Sequence, residues 1–238
     1  SLVTPIMTYA SEVTGYSECM DLDKVQRRFF RWTLGLPLGT RISILETETE
    51  LITINQQRLI TASRYENNMQ SKCSLLLKKV FNDSRRMDLT DEERERAVNK
   101  MGWSAKEFDR LLRTREGFWR EVKQRACDVA KQVRRADVRS TTWYIAQEDG
   151  LPGYLREPNG DMKLIARFRC GAMSRGTQSW RGDGGLCRLC GIEKEMPSHQ
   201  VKCGSNQETE INTMEHLLDP GGKGVGIMKE VANRYNEL

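Results

Sequence analysis

The feature that most constrains this chain is a run near its C-terminal end: Cys187-Arg188-Leu189-Cys190, then His199, then Cys203. The spacing is C-x2-C-x8-H-x3-C. A two-residue gap lets two thiolates from one tight turn reach a single ion, and Gly191 directly after the second cysteine suits that turn. His199 and Cys203 sit one helical turn apart, so both can point at the same ion. Three sulfurs and one imidazole make a closed tetrahedral Zn2+ site, structural and not catalytic. So short a segment has little core of its own, and metal binding would supply much of its folding energy. The competing reading is four unrelated residues in a chain that holds seven cysteines. The second histidine, His216, competes as fourth ligand, although Met214-Glu215-His216-Leu217-Leu218 also reads as a helix surface. His199 is preferred because its register with Cys203 closes the site more simply.

The other cysteines, Cys19, Cys73, Cys127 and Cys170, are scattered, and the odd total makes a poor disulfide framework. This usage predicts an intracellular protein, nuclear or cytoplasmic. No apolar run approaches the roughly 18 residues of a membrane span. There is no charged-then-apolar leader. The chain opens on Ser1, and Leu2-Val3-Thr4-Pro5-Ile6-Met7 reads as the middle of something, so a fragment or processed piece is expected. With 238 residues, 38% hydrophobic and 30% charged, the chain can build one core or two small ones.

Helical periodicity dominates. Residues 22–36 read as a two-faced helix, with Val25, Phe29, Trp32 and Leu36 on one face and Lys24, Arg27, Arg28 and Arg31 on another. Gly35 and Pro37 end it. Residues 42–51 show no clear period. Residues 55–81 read as one long helix or two shorter ones, with Leu59, Tyr65, Met69, Leu76 and Val80 as the buried side. Thr90-Asp91-Glu92-Glu93 and Ser104-Ala105-Lys106-Glu107 are capping-box patterns. Phe108, Leu112, Trp119, Val122, Ala126, Val129 and Val133 then keep a helical rhythm to about Arg139, and 141–144 look like a change of direction. Turn clusters at 149–153 and 157–161 mark the best domain boundary. Residues 162–170 form a short basic and apolar helix, 175–185 are irregular, and 225–237 form a last helix through Ile227, Met228, Val231 and Tyr235. The expected fold is mainly α: a helical domain over 1–150, then a basic helix, knuckle and C-terminal helix over 151–238.

A net charge of +5, from 38 basic and 33 acidic residues, does not by itself imply nucleic acid; its distribution matters. Lys24, Arg27, Arg28 and Arg31 form one cationic stripe, which could meet phosphates or simply be a solvated face. Residues 104–140 carry 11 Lys or Arg against 6 Asp or Glu, ending in Lys131, Arg134, Arg135 and Arg139 at helical spacing. A third patch is Arg167, Arg169, Arg175 and Arg181, interleaved with Phe168 and Trp180, which suit base stacking or a core. No adjacent Asp-Asp pair, phosphate-binding glycine loop, nucleophile elbow or H-E-x-x-H helix is present, so no chemistry is expected of this chain alone.

Met7-Thr8-Tyr9-Ala10-Ser11-Glu12-Val13 and Leu22-Asp23-Lys24-Val25-Gln26-Arg27-Arg28-Phe29-Phe30-Arg31-Trp32-Thr33-Leu34-Gly35-Leu36-Pro37 form two stretches of one pattern. They resemble the region after the palm in reverse transcriptases of non-LTR retrotransposons. Ala166-Arg167-Phe168-Arg169-Cys170-Gly171 with the Cys187, Cys190, His199 and Cys203 set resembles the zinc knuckle of the same polyproteins. Residues 224–231, ending Ile227-Met228-Lys229-Glu230-Val231, look like the tail that follows it. The resemblance implies a thumb-like segment that grips primer and template, a knuckle that binds RNA or target DNA, and the polymerase palm of the parent protein as a partner. It implies a non-catalytic part of that enzyme, with Lys24, Arg27, Arg28, Arg31, Lys131, Arg134, Arg135, Arg167 and Arg169 toward nucleic acid. The alternative is a zinc-stapled module that binds protein, or a domesticated fragment. The polar insert 204–212 and the missing palm aspartates depart from the pattern.

Overall fold

The computed structural model describes residues 3–86, 91–139, 144, 151–156, 160–177, 184–203 and 224–236. In chain order the helices are α1 (Val3–Met7), α2 (Ser11–Thr14), α3 (Met20–Leu34), α4 (Ile42–Glu48), α5 (Ile54–Lys72) and α6 (Leu75–Arg86). They continue with α7 (Asp91–Lys100), α8 (Ala105–Thr114), α9 (Trp119–Arg139), α10 (Gly153–Arg156), α11 (Met162–Arg169), α12 (Pro197–Lys202) and α13 (Val225–Asn236). The fold is mainly helical; among the described residues there is no strand, only an isolated antiparallel bridge between Leu186 and Lys194.

The chain divides into two compact units, Ser1–Gln26 with Ile52–Val133 and Arg27–Leu51 with Arg134–Leu238. This differs from a single cut at residue 150. Segment 27–51 joins the C-terminal part because its Leu34, Leu36, Ile44 and Leu45 are buried in one core with Ile165, Phe168, Met228 and Val231.

The first unit is centred on Trp103, Phe108 and Phe118, whose rings meet at 5.4 to 5.8 Å with Leu112, Val122 and Ala126 around them. The rhythm expected from 104 to 139 is broken once, at 115–118, where Gly117 takes φ +74° and separates α8 from α9. Ser104 caps α8 by accepting from the Glu107 backbone N–H at 3.2 Å. Thr90, the other expected cap, lies outside the described residues. A third box does form: Thr53 Oγ1 accepts from the Gln56 N–H and Gln56 Oε1 from the Thr53 N–H, starting α5.

Helix α5 corrects an expectation. Its buried side is mostly polar, namely Ile54, Arg58, Ala62, Ser63, Glu66, Asn67 and Gln70. Leu59, Tyr65 and Met69 are half-buried, and Leu76 and Val80, on α6, are exposed. The reason lies in what faces α5. Helices end with unpaired carbonyls, and α5 supplies their donors. Arg58 donates to the carbonyls of Thr14 (2.9 Å) and Ser17 (3.0 Å), and Asn67 Nδ2 to those of Leu112 (2.9 Å) and Arg115 (3.0 Å). The Glu66 carboxylate accepts from Tyr16 at 3.0 Å and from Arg94, which also reaches Asp109 at 2.7 Å. The approach of α2 to α5 is close enough to require glycine at position 15, where a Cβ would stand 2.3 Å from the Arg58 carbonyl oxygen.

The second unit is organised around a buried carboxylate. Helix α3 ends at Gly35 (φ +65°), with the Leu36 N–H returning to the Arg31 carbonyl at 2.8 Å, as the Gly-Leu-Pro sequence predicts. The following residues 42–48, which lack a clear period, form α4 and bring Glu48 into the core. Glu48 accepts from Tyr144 Oη (2.6 Å), Tyr154 Oη (2.7 Å) and the Arg169 guanidinium. Burial, then the Glu48 charge, raises both tyrosines well above their ordinary pKa. Burial likewise raises the Cys170 thiol. Helix α13 covers this core with Met228, Val231, Ala232 and Tyr235, where the sequence placed a last helix.

Candidate metal centre

The bridge between Leu186 and Lys194 closes a hairpin-like loop, with the Cys187 N–H donating to the Glu193 carbonyl and the Glu195 N–H to the Gly185 carbonyl, both at 2.8 Å. At its tip Gly191 takes φ +67°, a conformation glycine adopts without strain, and donates to the Cys187 carbonyl at 2.8 Å. The Leu189 N–H points back at Cys187 Sγ, 3.4 Å away. Pro197 then opens α12, which carries His199, and Cys203 stands at its C-terminal cap.

Cys187, Cys190, His199 and Cys203 converge, with their ligand atoms all within 4.8 Å of one another. The Cys187 and Cys203 sulfurs are 3.5 Å apart, and Cys190 Sγ lies 3.4 Å from His199 Nε2. Zinc bonds of about 2.3 Å to sulfur and about 2.0 Å to nitrogen set tetrahedral ligands roughly 3.5–3.8 Å apart, so the set fits the ion after slight contraction. His216 lies outside the described residues.

Charge supports the same fit. Burial acts to raise the Cys187 thiol, but the Tyr235 hydroxyl and backbone N–H groups outweigh it and hold the thiol below its ordinary value. Backbone N–H groups of Glu193 and Ile192 do the same for Cys190. Cys203 is pushed up to about 12 by burial and by its two sulfur neighbours. The surroundings thus favour the thiolate at Cys187 and Cys190 and disfavour it at Cys203, where a bound cation would offset the cost.

Partners beyond the ligands were not legible from spacing. Glu193 Oε2 lies 2.9 Å from His199 Nδ1, an acceptor on the far side of the ring from Nε2, which faces the Cys190 sulfur. Tyr235 Oη lies 3.4 Å from Cys187 Sγ. Arg188, inside the C-x2-C turn, stacks over the Tyr235 ring at 4.7 Å and pairs with buried Glu195 at 2.9 Å. Glu195 also accepts from the Arg175 N–H and from Gln200 Nε2, both at 3.1 Å. Arg234 holds the Cys203 carbonyl at 3.0 Å, so α13 is tied to the cluster from two positions.

No family model, no characterised protein and no solved structure matches the chain, and nothing identifies a retrotransposon reverse-transcriptase region. What the chain does must be argued from its own residues.

The nine cations expected to face nucleic acid are divided by the fold. Lys24, Arg28 and Arg135 are exposed, with Lys24 paired to Asp21 at 2.9 Å; Lys131 and Arg167 are half-buried. Arg27 is turned to Glu46 at 2.8 Å. Three are corrections, because they are buried and held within the protein: Arg31 by the Thr40 carbonyl (2.8 Å), Arg134 by the Leu51 carbonyl (2.6 Å), and Arg169 by Glu48. Each has a donor on an internal acceptor and is buried away from phosphates, although Arg31 Nε itself has no hydrogen-bond partner. Phe168 is a core residue, 3% exposed. Trp180 and Arg181 lie outside the described residues. On α8, Lys106, Arg110 and Arg113 fall at helical spacing and are all exposed.

Proposed function

We propose that this chain is a non-catalytic nucleic-acid-binding segment whose C-terminal unit is fastened by one structural Zn2+. The observation that carries it is the convergence of Cys187, Cys190, His199 and Cys203 on one point, with Glu193 orienting the imidazole. The resemblance to the thumb-to-knuckle region of non-LTR reverse transcriptases supplies the context: RNA or DNA as ligand, the palm of the parent polymerase as partner. Lys106, Arg110 and Arg113 on α8, and Arg28 on α3, are exposed cations that phosphates can reach.

The test is metal content and salt-dependent binding on the same preparations. One Zn2+ per chain is expected, lost in Cys187→Ser and in His199→Ala. Affinity for mixed-sequence RNA and DNA should fall steeply as salt rises. A chain that binds neither at low salt would sink the nucleic-acid reading. Retention of zinc by the His199 variant, with loss when His216 is changed, would reassign the fourth ligand.

One observation favours a second reading, a zinc-stapled module that docks protein. Leu75, Leu76, Leu77 and Val80 of α6 are each more than half exposed, with Leu76 and Val80 one turn apart on the same side, and exposed apolar surface of this kind suits a protein partner. Under that reading, replacing Leu76 and Val80 by Ser abolishes association with a partner and leaves zinc content unchanged.

A further inference from the structure

Helix α3 presents its apolar face to solvent. Phe29 is 45% and Trp32 76% exposed, and their ring centroids lie 6.2 Å apart at 41°. The opposite side holds the helix in place: Arg27 pairs with Glu46, Arg31 donates to the Thr40 carbonyl, and Leu34 is buried. Phe30 packs on the core and sets its ring edge-on to Phe29 at 5.9 Å. The rings are therefore fixed by a seated helix. Arg28 is exposed beside them, and Lys24 stands one turn earlier. From Lys24 to Leu45 the chain has five cations and no Asp or Glu.

We infer that Phe29, Trp32 and Arg28 form a stacking platform for unpaired nucleotides of single-stranded RNA or DNA. This rests on the nucleic-acid reading above and narrows it. Aromatic faces stack on any base, but only on a base that is not already paired and stacked in a duplex. Exposed Arg28 beside the rings meets the backbone phosphates, while Lys24 is shared with Asp21 and Arg27 with Glu46. With Asp21, Asp23 and Glu46 included, residues 21–46 still carry a net +2, which a phosphate backbone uses and a purely apolar partner does not.

The experiment uses the zinc-loaded full chain and labelled oligo-uridine, oligo-thymidine and a hairpin duplex of matched length, read by fluorescence anisotropy. The Phe29→Ala/Trp32→Ala double variant should lose roughly 5- to 100-fold in affinity for either single strand, with the duplex changed by less than about twofold. Trp32→Tyr in the wild-type background should keep most of the affinity. Arg28→Ala should lower the salt slope by about one. Equal losses on single strand and duplex, or no loss on either, overturn the platform. Unchanged nucleic-acid affinity together with conversion of a dimer to a monomer assigns the face to a second copy of the chain instead. If the wild-type chain binds none of the probes at low salt, the nucleic-acid reading itself fails. Should the double variant unfold by circular dichroism, Trp32→Ala alone carries the comparison.

Discussion

At the scale of single residues, buried charge decides more than exposed charge. Glu48 is fully buried and has Arg169 and two tyrosines as donors. Removing one partner strands the other, so Glu48→Ala should destabilise the second unit by about 3–5 kcal/mol in urea titrations. Tyr154→Phe, which removes one hydrogen bond to the carboxylate, should lose about 1–2 kcal/mol. The Glu193 carboxylate would act on a bound ion through His199. Glu193→Ala should weaken Zn2+ affinity by about tenfold in chelator competition, with the stoichiometry kept. Glu195 gives a pH dependence. Burial would raise its pKa, but Arg188 and two backbone N–H groups outweigh burial and hold it below the usual 4.5. A depressed carboxylate stabilises above its unfolded pKa, and that stability is lost as pH falls through the folded value. The stability gap between wild type and Glu195→Gln should therefore be full at pH 7 and shrink steadily below about pH 4.5. A gap that widens in acid would refute the assignment.

At the scale of elements, the helices are specified by their ends and fitted together through polar contacts. The Thr53 and Gln56 box starts α5, so Thr53→Ala should lower stability by about 1 kcal/mol in thermal or urea melts. The seat of α2 against α5 is intolerant in another way. A methyl at position 15 has backbone oxygens at 2.3 and 2.4 Å, which only a backbone shift can relieve. Gly15→Ala should lose at least about 1–3 kcal/mol. Helix α3 shows how a periodic face can mislead: its two faces lie where the spacing puts them, yet the basic one supplies Arg27 and Arg31 to internal acceptors while Phe29 and Trp32 remain outside.

At the scale of the whole molecule, the two units rest on different physics. The first has an aromatic core and a polar α5; the second joins its helical core to a loop segment through Cys187, Cys203 and Tyr235. Chelation of the metal should therefore speed amide exchange in 184–203 and in α13, and leave α5 and α8 at their wild-type rates. Uniform acceleration in both units would show that the metal does not act locally. The sequence by itself determined what depends on short spacings: the clustering of Cys187, Cys190, His199 and Cys203, the Gly35 stop, the Ser104 cap and most helix positions. Ligand spacing, capping and periodicity are properties of neighbours along the chain, so they survive without knowledge of the fold. Only the tertiary structure decided which face of α3 turns inward, why α5 buries Arg58 and Asn67, and which of the predicted phosphate contacts are closed. Those outcomes depend on carbonyls and carboxylates brought in from distant segments, such as Glu48 meeting Arg169 and Asn67 meeting Leu112. No local pattern encodes such a pairing, because the energy of burying a polar group is set by the partner it finds.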